Sequence, residues 1–328
     1  MRTNARAVDG IVWLAVRELN MKIWYAAGLA LALCASSAFA QSAPPANQSS
    51  EDEIVVTAQR QLLRDFVGEL SAEPNSEDQI ARWDRRICPS VAGLPARQAQ
   101  YIVDRIAYRA YGVDLDTGEP GCRVNVLVIV TRDSDIIARS LFEDYGNVVA
   151  AVGDEDGNTR GRAALTDFVE TPRTVRWWHV SQTVTENGQV MGGSSARASG
   201  SGIRNAPVAR VSDPGHLRRS TRQDFNRVLI IVDATRAQGV QFEALSDYIA
   251  MVALAQLDPT ADTREYPTIL NLFADREAGR TAPTSMTEWD EAYLTGLYGA
   301  PRQARNSRQQ ENAIARSMQG ENLPANPH

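Results

Sequence analysis

Arg227-Val228-Leu229-Ile230-Ile231-Val232-Asp233, followed after Gly239 by the stretch from Phe242 to Leu257, decides the fold class. The run Val228 to Val232 is wholly aliphatic, and a strand with one wet face would alternate apolar with polar residues, so this one is covered on both faces. The helix that follows carries Leu245, Tyr248, Ile249, Val252 and Leu254 with almost no polar face, which means that it is buried. Asp258-Pro259 ends it, because the residue before a proline is driven out of the helical region. A buried strand that feeds a buried helix is the building unit of an α/β sheet.

Working outward, Val124 to Val130 is a second strand of the same buried kind, and Arg86 to Val91 reads as a first one. Between them Pro95 opens a helix whose face is Ala99, Ile102, Val103, Ile106 and Ala110, with Gly112 as its stop. Asp135 to Tyr145 reads as helical, and Gly153 to Gly161 as a polar connection. Val175 to Val184 and Gln189 to Met191 flank Glu186-Asn187-Gly188, where the Asn-Gly pair supplies the positive φ angles of a hairpin turn. Upstream, Leu62, Leu63, Phe66, Val67 and Leu70 recur at helical spacing and stop before Pro74. Downstream, a further element at Thr268 to Phe273 precedes Thr287-Glu288-Trp289-Asp290, a capping-box pattern that starts a helix through Tyr298. The expectation is one α/β (α+β) domain over residues 61–300, a mixed sheet with flanking helices. The segment 41–60 is expected to be a disordered leader and 301–328 a disordered tail, since both are too polar to bury apolar area.

Residues 1–40 are expected to be removed. Lys22 precedes an apolar run from Ile23 to Ala38, and Ala38-Phe39-Ala40 is a small-residue cleavage pattern that places the cut between Ala40 and Gln41. A complete signal peptide beginning at Met21 leaves open whether translation starts there or at Met1. Cys34 would suit a lipoprotein, but Leu33 is too large for the residue before a lipidated cysteine. A periplasmic or secreted chain follows, with no integral membrane segment after cleavage.

The formal net charge is −6, and removing the leader takes away Arg2, Arg6, Arg17 and Lys22 against Asp9 and Glu18, which makes the remainder more acidic. A surface of that sign does not attract phosphate backbones, which excludes nucleic acid as a general partner. Lys22 is the only lysine, so neither a Schiff-base lysine nor a P-loop lysine is available after cleavage. Cys88 and Cys122 are the only cysteines beyond the leader and are expected to pair in an oxidising compartment, a bond that the chain-entropy model values at about 3 to 4 kcal/mol.

Candidate sites are sparse. The histidines are His179, His216 and His328, and no pair stands at the spacing of H-E-x-x-H, which would set two imidazoles on one helix face. No metal, cofactor or catalytic residue is therefore expected. A zinc site would have to be assembled from His179, His216 and a distant carboxylate. Asp154 to Asn158 lacks the glycine and the glutamate of a calcium loop, and the serines of Gly192 to Gly202 lack a nucleophile elbow. In Arg176-Trp177-Trp178-His179-Val180, strand alternation sets Trp177 and His179 on one face and Trp178 on the other. One reading has Trp177 and His179, with Asp247 and Tyr248, at a groove that holds a protein or peptide as an added strand. The other has the hairpin covered on both faces.

The order of elements, together with Leu245-Ser246-Asp247-Tyr248-Ile249-Ala250-Met251-Val252-Ala253-Leu254, Pro267-Thr268-Ile269-Leu270 and Trp289 to Tyr298, resembles uncharacterised exported families of zincin-like architecture. That resemblance implies that Asp247, Tyr248 and Met251 stand where the peptidases carry two zinc histidines and a general-base glutamate. A methionine cannot replace an imidazole on zinc and a neutral tyrosine is a poor base, so the implied protein is a pseudoenzyme. A second resemblance is carried by Glu51-Asp52-Glu53-Ile54-Val55-Val56-Thr57-Ala58-Gln59-Arg60, which looks like the TonB box of outer-membrane receptors, where Ile54, Val55, Val56 and Thr57 would pair with a partner as a strand; an ordinary first strand reads the same way. A non-catalytic binding or scaffolding domain is the first functional reading, with a divergent metallo-hydrolase or peptidase and an accessory of TonB-linked uptake as alternatives.

Overall fold

The structure, a computed structural model, describes residues 48–72, 79–149, 159–191, 219–321 and 323. The cleavage site at Ala40 and Gln41, the Asp154 to Asn158 turn, the Gly192 to Gly202 stretch, His216 and His328 lie outside the described residues. Contacts divide the chain into Met1–Gln48 and Ser49–His328, and the sheet lies in the second unit.

One mixed sheet of four strands forms the frame: β1 (Pro89–Ala92), β2 (Val126–Thr131), β3 (Val175–Thr185) and β4 (Thr221–Asp233), in the order β1-β2-β4-β3. β1, β2 and β4 run parallel, with Val91 beside Val128 and Val128 beside Ile230. β3 is the antiparallel edge, with Trp177 beside Ile230 and Trp178 beside Leu229, and its register shifts between Val180 and Ser181. The parallel pair β1–β2 requires a crossover, supplied by α2 (Ala96–Tyr111), which buries Ile102, Ile106 and Ala110. A turn does follow β3, but not in the expected form: only Gly188 takes a positive φ, +79°, while Asn187 does not, and Gly188 N–H donates to the Thr185 carbonyl at 2.9 Å, so Glu186 and Asn187 are the central pair and Gly188 follows them. Val190 then bridges back to Val184.

The two faces of the sheet are unequally covered. The larger core joins Val126, Val128, Val228, Ile230, Val232 and Trp177 to α2 and to α5 (Phe242–Leu254), every residue of which from Ala244 onward is buried. α7 (Glu288–Gly299) closes this core, and its capping box is formed, since Asp290 N–H donates to Thr287 Oγ1 and Thr287 N–H to Asp290 Oδ2. The smaller core sets Leu229, Ile231, Trp178 and Val180 against α3 (Ser134–Val149) and α4 (Gly161–Glu170), through Ala138, Leu165, Phe168 and Val169. Cys88 and Cys122 are joined by a disulfide, with Cα atoms 6.0 Å apart.

Several elements differ from expectation. α1 runs from Gln48 to Leu70, so Ile54, Val55, Val56 and Thr57 lie in a helix and not in an extended leader. Its later turns are held by Leu63, Phe66, Val67 and Leu70 in the core, and a helix anchored there extends upstream one hydrogen bond per residue. Residues 301–328 are not a featureless tail: α8 (Ser307–Gln319) is capped by Asn306, whose side chain accepts from Gln309 N–H, and it buries Ile314, Ala315 and Met318. Those three apolar residues suffice because α7 offers Gly296 as a seat for Ile314. α4 begins where the expected connection ends, in a stretch for which no element was expected, and it is a helix because Leu165, Phe168 and Val169 pack with Trp178 in the smaller core. Thr268 to Phe273 is a 3-10 turn, Ile269–Asn271, running into α6 (Leu272–Glu277). No helix among the described residues is long and apolar enough to cross a membrane.

Candidate functional site

The four groove residues expected from sequence are separated by the fold into three settings. Trp177 and Tyr248 come together, with ring centroids 6.4 Å apart, at the floor of an open cleft of about 430 Å³. Its walls are the segment after α5, from Asp258 to Arg264, and the residues Leu270, Asn271 and Ala274. The strand β3 brings Trp177 there because alternation turns its ring to the α5 face, while α5 brings Tyr248, whose ring also meets Phe273 at 5.1 Å. Among the described residues the Tyr248 hydroxyl takes no hydrogen-bond partner, and burial pushes its pKa above the ordinary tyrosine range. It is a neutral group at any physiological pH and cannot serve as a base.

The other polar side chains of the cleft are occupied. Asp258 accepts two hydrogen bonds from Arg160, at 2.9 and 2.5 Å, and two from the N–H and hydroxyl of Thr260. Thr263 donates its hydroxyl to Asn271 Oδ1, and Asn271 Nδ2 donates to the carbonyls of Thr263 and Tyr266. Asp262 pairs with Arg264 at 2.5 Å. The cleft therefore presents ring surface, one free hydroxyl, and charges already neutralised in pairs.

Asp247 does not line it. Its carboxylate is wholly inaccessible and is turned to α2, where Arg105 donates through Nε and Nη2 at 2.6 Å each and Arg109 through Nε and Nη2 at 2.9 Å each. Met286 N–H adds a fifth bond at 2.8 Å. Burial alone would raise this carboxyl; the two guanidiniums and the N–H outweigh it and hold the pKa at about 2. Arg105 and Arg109 are one turn apart on α2, and each also touches a surface carboxylate, Glu243 and Glu291 respectively. Met251 is fully buried in the larger core. These two positions on α5 are thus filled by a structural ion pair and a packing residue.

His179 lies under α5. Its Nε2 meets the Val252 carbonyl at 2.9 Å, so that nitrogen carries the proton, and its ring stands 5.1 Å from Phe225. Burial lowers its pKa to about 4, with the Val252 carbonyl opposing in part. Among the described residues no three His, Cys, Asp or Glu side chains are grouped to hold a metal ion.

The edge of β3 is the remaining feature. Asp233 N–H donates to the Thr174 carbonyl, which fixes Arg176 and Trp178 as the residues bonded to β4 and turns the N–H and C=O of Trp177 and His179 away from the sheet. Among the described residues those groups find no partner. Further along, Met191 N–H donates to the Thr183 carbonyl, so among the described residues the return of the hairpin covers the edge at that end. Beside Trp177 and His179 is a cavity of about 20 Å³, bounded by Arg160, Phe168, Leu257 and Pro259. Arg160, Arg173 and Asp258, which shape this edge, were not singled out from sequence, because neither the ion pair nor the edge has a local signature. Comparison with protein-family models, with curated proteins and with solved structures gives no match to the chain.

Proposed function

We propose that this chain is an exported, non-catalytic binding domain of zincin-like build, which holds an uncharged extended segment of a protein or peptide as an added strand along β3. The observation that carries this reading is the pair of outward N–H and C=O groups at Trp177 and His179, next to a cleft floored by the Trp177 and Tyr248 rings. Main-chain bonds to an edge supply affinity in such a mode, and a side-chain cleft beside it supplies selectivity. Paired charges on the cleft wall favour an uncharged occupant, since a lone charge entering there would be desolvated without a partner.

The zincin-like build is supported by a mixed sheet whose antiparallel strand is its edge, followed by a strand and a buried helix. The non-catalytic part rests on what Asp247 and Met251 do: one is consumed by Arg105 and Arg109, the other by the core. Hydrolytic zinc needs three ligands, an open position and a base beside it. Export is supported by the disulfide between Cys88 and Cys122 and by the apolar run before Ala40.

The test is titration of the protein with an uncharged, alternating Val-Thr hexapeptide, read by amide shifts, beside a zinc assay and a protease assay of protein purified without chelator. Shifts centred on Val175 to His179, one-to-one saturation and no zinc-dependent activity are expected. Tightly held stoichiometric zinc, lost along with peptidase activity in a His179→Ala variant, would overturn the non-catalytic reading and promote a divergent hydrolase.

A further inference from the structure

The ion pair between Arg160 and Asp258 joins elements from opposite faces of the sheet. Arg160 leads into α4, which packs on the smaller core, and Asp258 follows Leu257, which belongs to the larger one. Two such elements can meet only around an edge. The edge is that of β3, because Arg160 and Pro259 bound the same cavity as Arg176, Trp177, Trp178 and His179. That cavity, about 20 Å³, has room for a water molecule and not for a peptide strand.

We infer that Arg160 and Asp258 form a latch across the edge of β3, and that a strand can add at Trp177 and His179, whose outward main-chain groups find no partner among the described residues, only after the pair parts. This regulation rests on the strand-addition reading above. The bond geometry suits a latch: the guanidinium grips both carboxylate oxygens, at 2.9 and 2.5 Å, so the closed state is defined in direction as well as distance. About a quarter of each side chain remains in solvent, 26% and 22%, so water can replace the pair at modest cost. The segment it holds down also carries the Leu257 carbonyl, which accepts the Trp177 indole N–H at 3.0 Å. Opening the latch therefore loosens the indole of the residue whose main chain would receive the strand. The coupling is through adjacent residues, Leu257 and Asp258, and needs no longer path.

The experiment uses Arg160→Ala and Asp258→Asn; the second keeps an oxygen for Thr260 while removing the charge. Hydrogen exchange of the Trp177 indole N–H is measured beside that of Trp83, whose indole is held by the Ala253 carbonyl and does not line the latch cavity. Affinity for the uncharged Val-Thr hexapeptide is measured in parallel. For a partly exposed pair, exchange at Trp177 and affinity should both rise about threefold to fivefold, with Trp83 unchanged, and raised salt should move the native protein in the same direction. Peptide binding that is equal in all three proteins, with unchanged Trp177 exchange, would refute the latch and leave the strand-addition reading standing. Faster Trp177 exchange in both variants with no peptide bound by any of them would keep the latch and remove that reading instead.

Discussion

Asp247 of α5 and Arg109 of α2 are joined by two parallel hydrogen bonds of 2.9 Å, with the carboxylate wholly out of solvent. The pair ties together α2 and α5, two helices that line the larger core. Breaking it from the carboxylate side leaves two guanidiniums without their partner. Asp247→Ala is expected to cost about 3 to 5 kcal/mol in urea unfolding, the range for removing one member of a buried ion pair. A loss under 1 kcal/mol would mean that Arg105 and Arg109 are satisfied by Glu243, Glu291 and water alone.

Two groups of the α5 region, His179 and Asp247, contribute to the acid stability. His179 has its pKa lowered from 6.5 to about 4, so the unfolded chain binds a proton first as pH falls; its contribution is complete above pH 6.5 and is lost as pH drops towards 4. Asp247 is lowered from 3.8 to about 2, so its contribution is complete above pH 3.8 and is lost as pH falls through 2. Order-of-magnitude losses are about 3 kcal/mol over the first window and about 2 kcal/mol over the second. Histidine proton shifts followed from pH 8 to 5.5 should show the His179 ring nearly constant. A midpoint near 6.5 for that ring would place it in water and contradict its bond to Val252.

The disulfide closes a loop of 34 positions and ties the entry to β1 to the turn that precedes β2. Replacing both Cys88 and Cys122 by serine should lower stability by about 3 to 4 kcal/mol, mostly by freeing the unfolded chain. Gly118 offers a second check, because a Cβ there would stand 2.6 Å from Cys122 Sγ, so Gly118→Ala should weaken the same corner. Thiol counting of denatured, unreduced protein reads the bond directly: two free thiols beyond the leader would show that it is not formed.

The elements whose causes are local were legible in the sequence. Val228 to Val232 and Val126 to Val130 read as covered strands from composition alone, a turn read at Asn187-Gly188 although Gly188 alone takes the positive φ, and Thr287 with Asp290 read as a cap from their spacing. The missed elements have distant causes. α4 and α8 have apolar faces of only three residues or so, and each is a helix because of what lies opposite it, Trp178 in one case and Gly296 in the other. The same holds at the candidate site: nothing within Leu245 to Leu254 says that Asp247 will meet Arg105 and Arg109, whose own spacing of four residues shows only that they share a helix face. Arg160 and Asp258, 98 positions apart, are further from legibility still.

The last prediction concerns the docking of α8, which composition alone assigns to a polar tail. Gly296 on α7 faces Ile314 closely: a Cβ built there would lie 3.1 Å from the Ile314 Cγ2 and carbonyl oxygen and 3.2 Å from its Cα. Two of those three atoms are main chain, so the side chain of Ile314 cannot relieve the contact by rotating. Gly296→Ala must therefore push α8 away from α7 as a unit, and the gain in helix propensity at an α7 position, about 1 kcal/mol, works against that cost. Overpacking of this kind costs about 1 to 3 kcal/mol, so the expected net is a destabilisation, together with exposure of Met318 and Ala315, which α8 now buries. Ile314→Ala separates the two effects: it should cost about 2 to 5 kcal/mol on its own by leaving a cavity, yet it should not relieve the Gly296→Ala clash, because the carbonyl and Cα of residue 314 remain. Urea unfolding of the two single variants and the double variant decides the matter. A Gly296→Ala variant stabilised by about 1 kcal/mol, the full helix-propensity gain, would show that α8 does not oppose a Cβ at this position in solution.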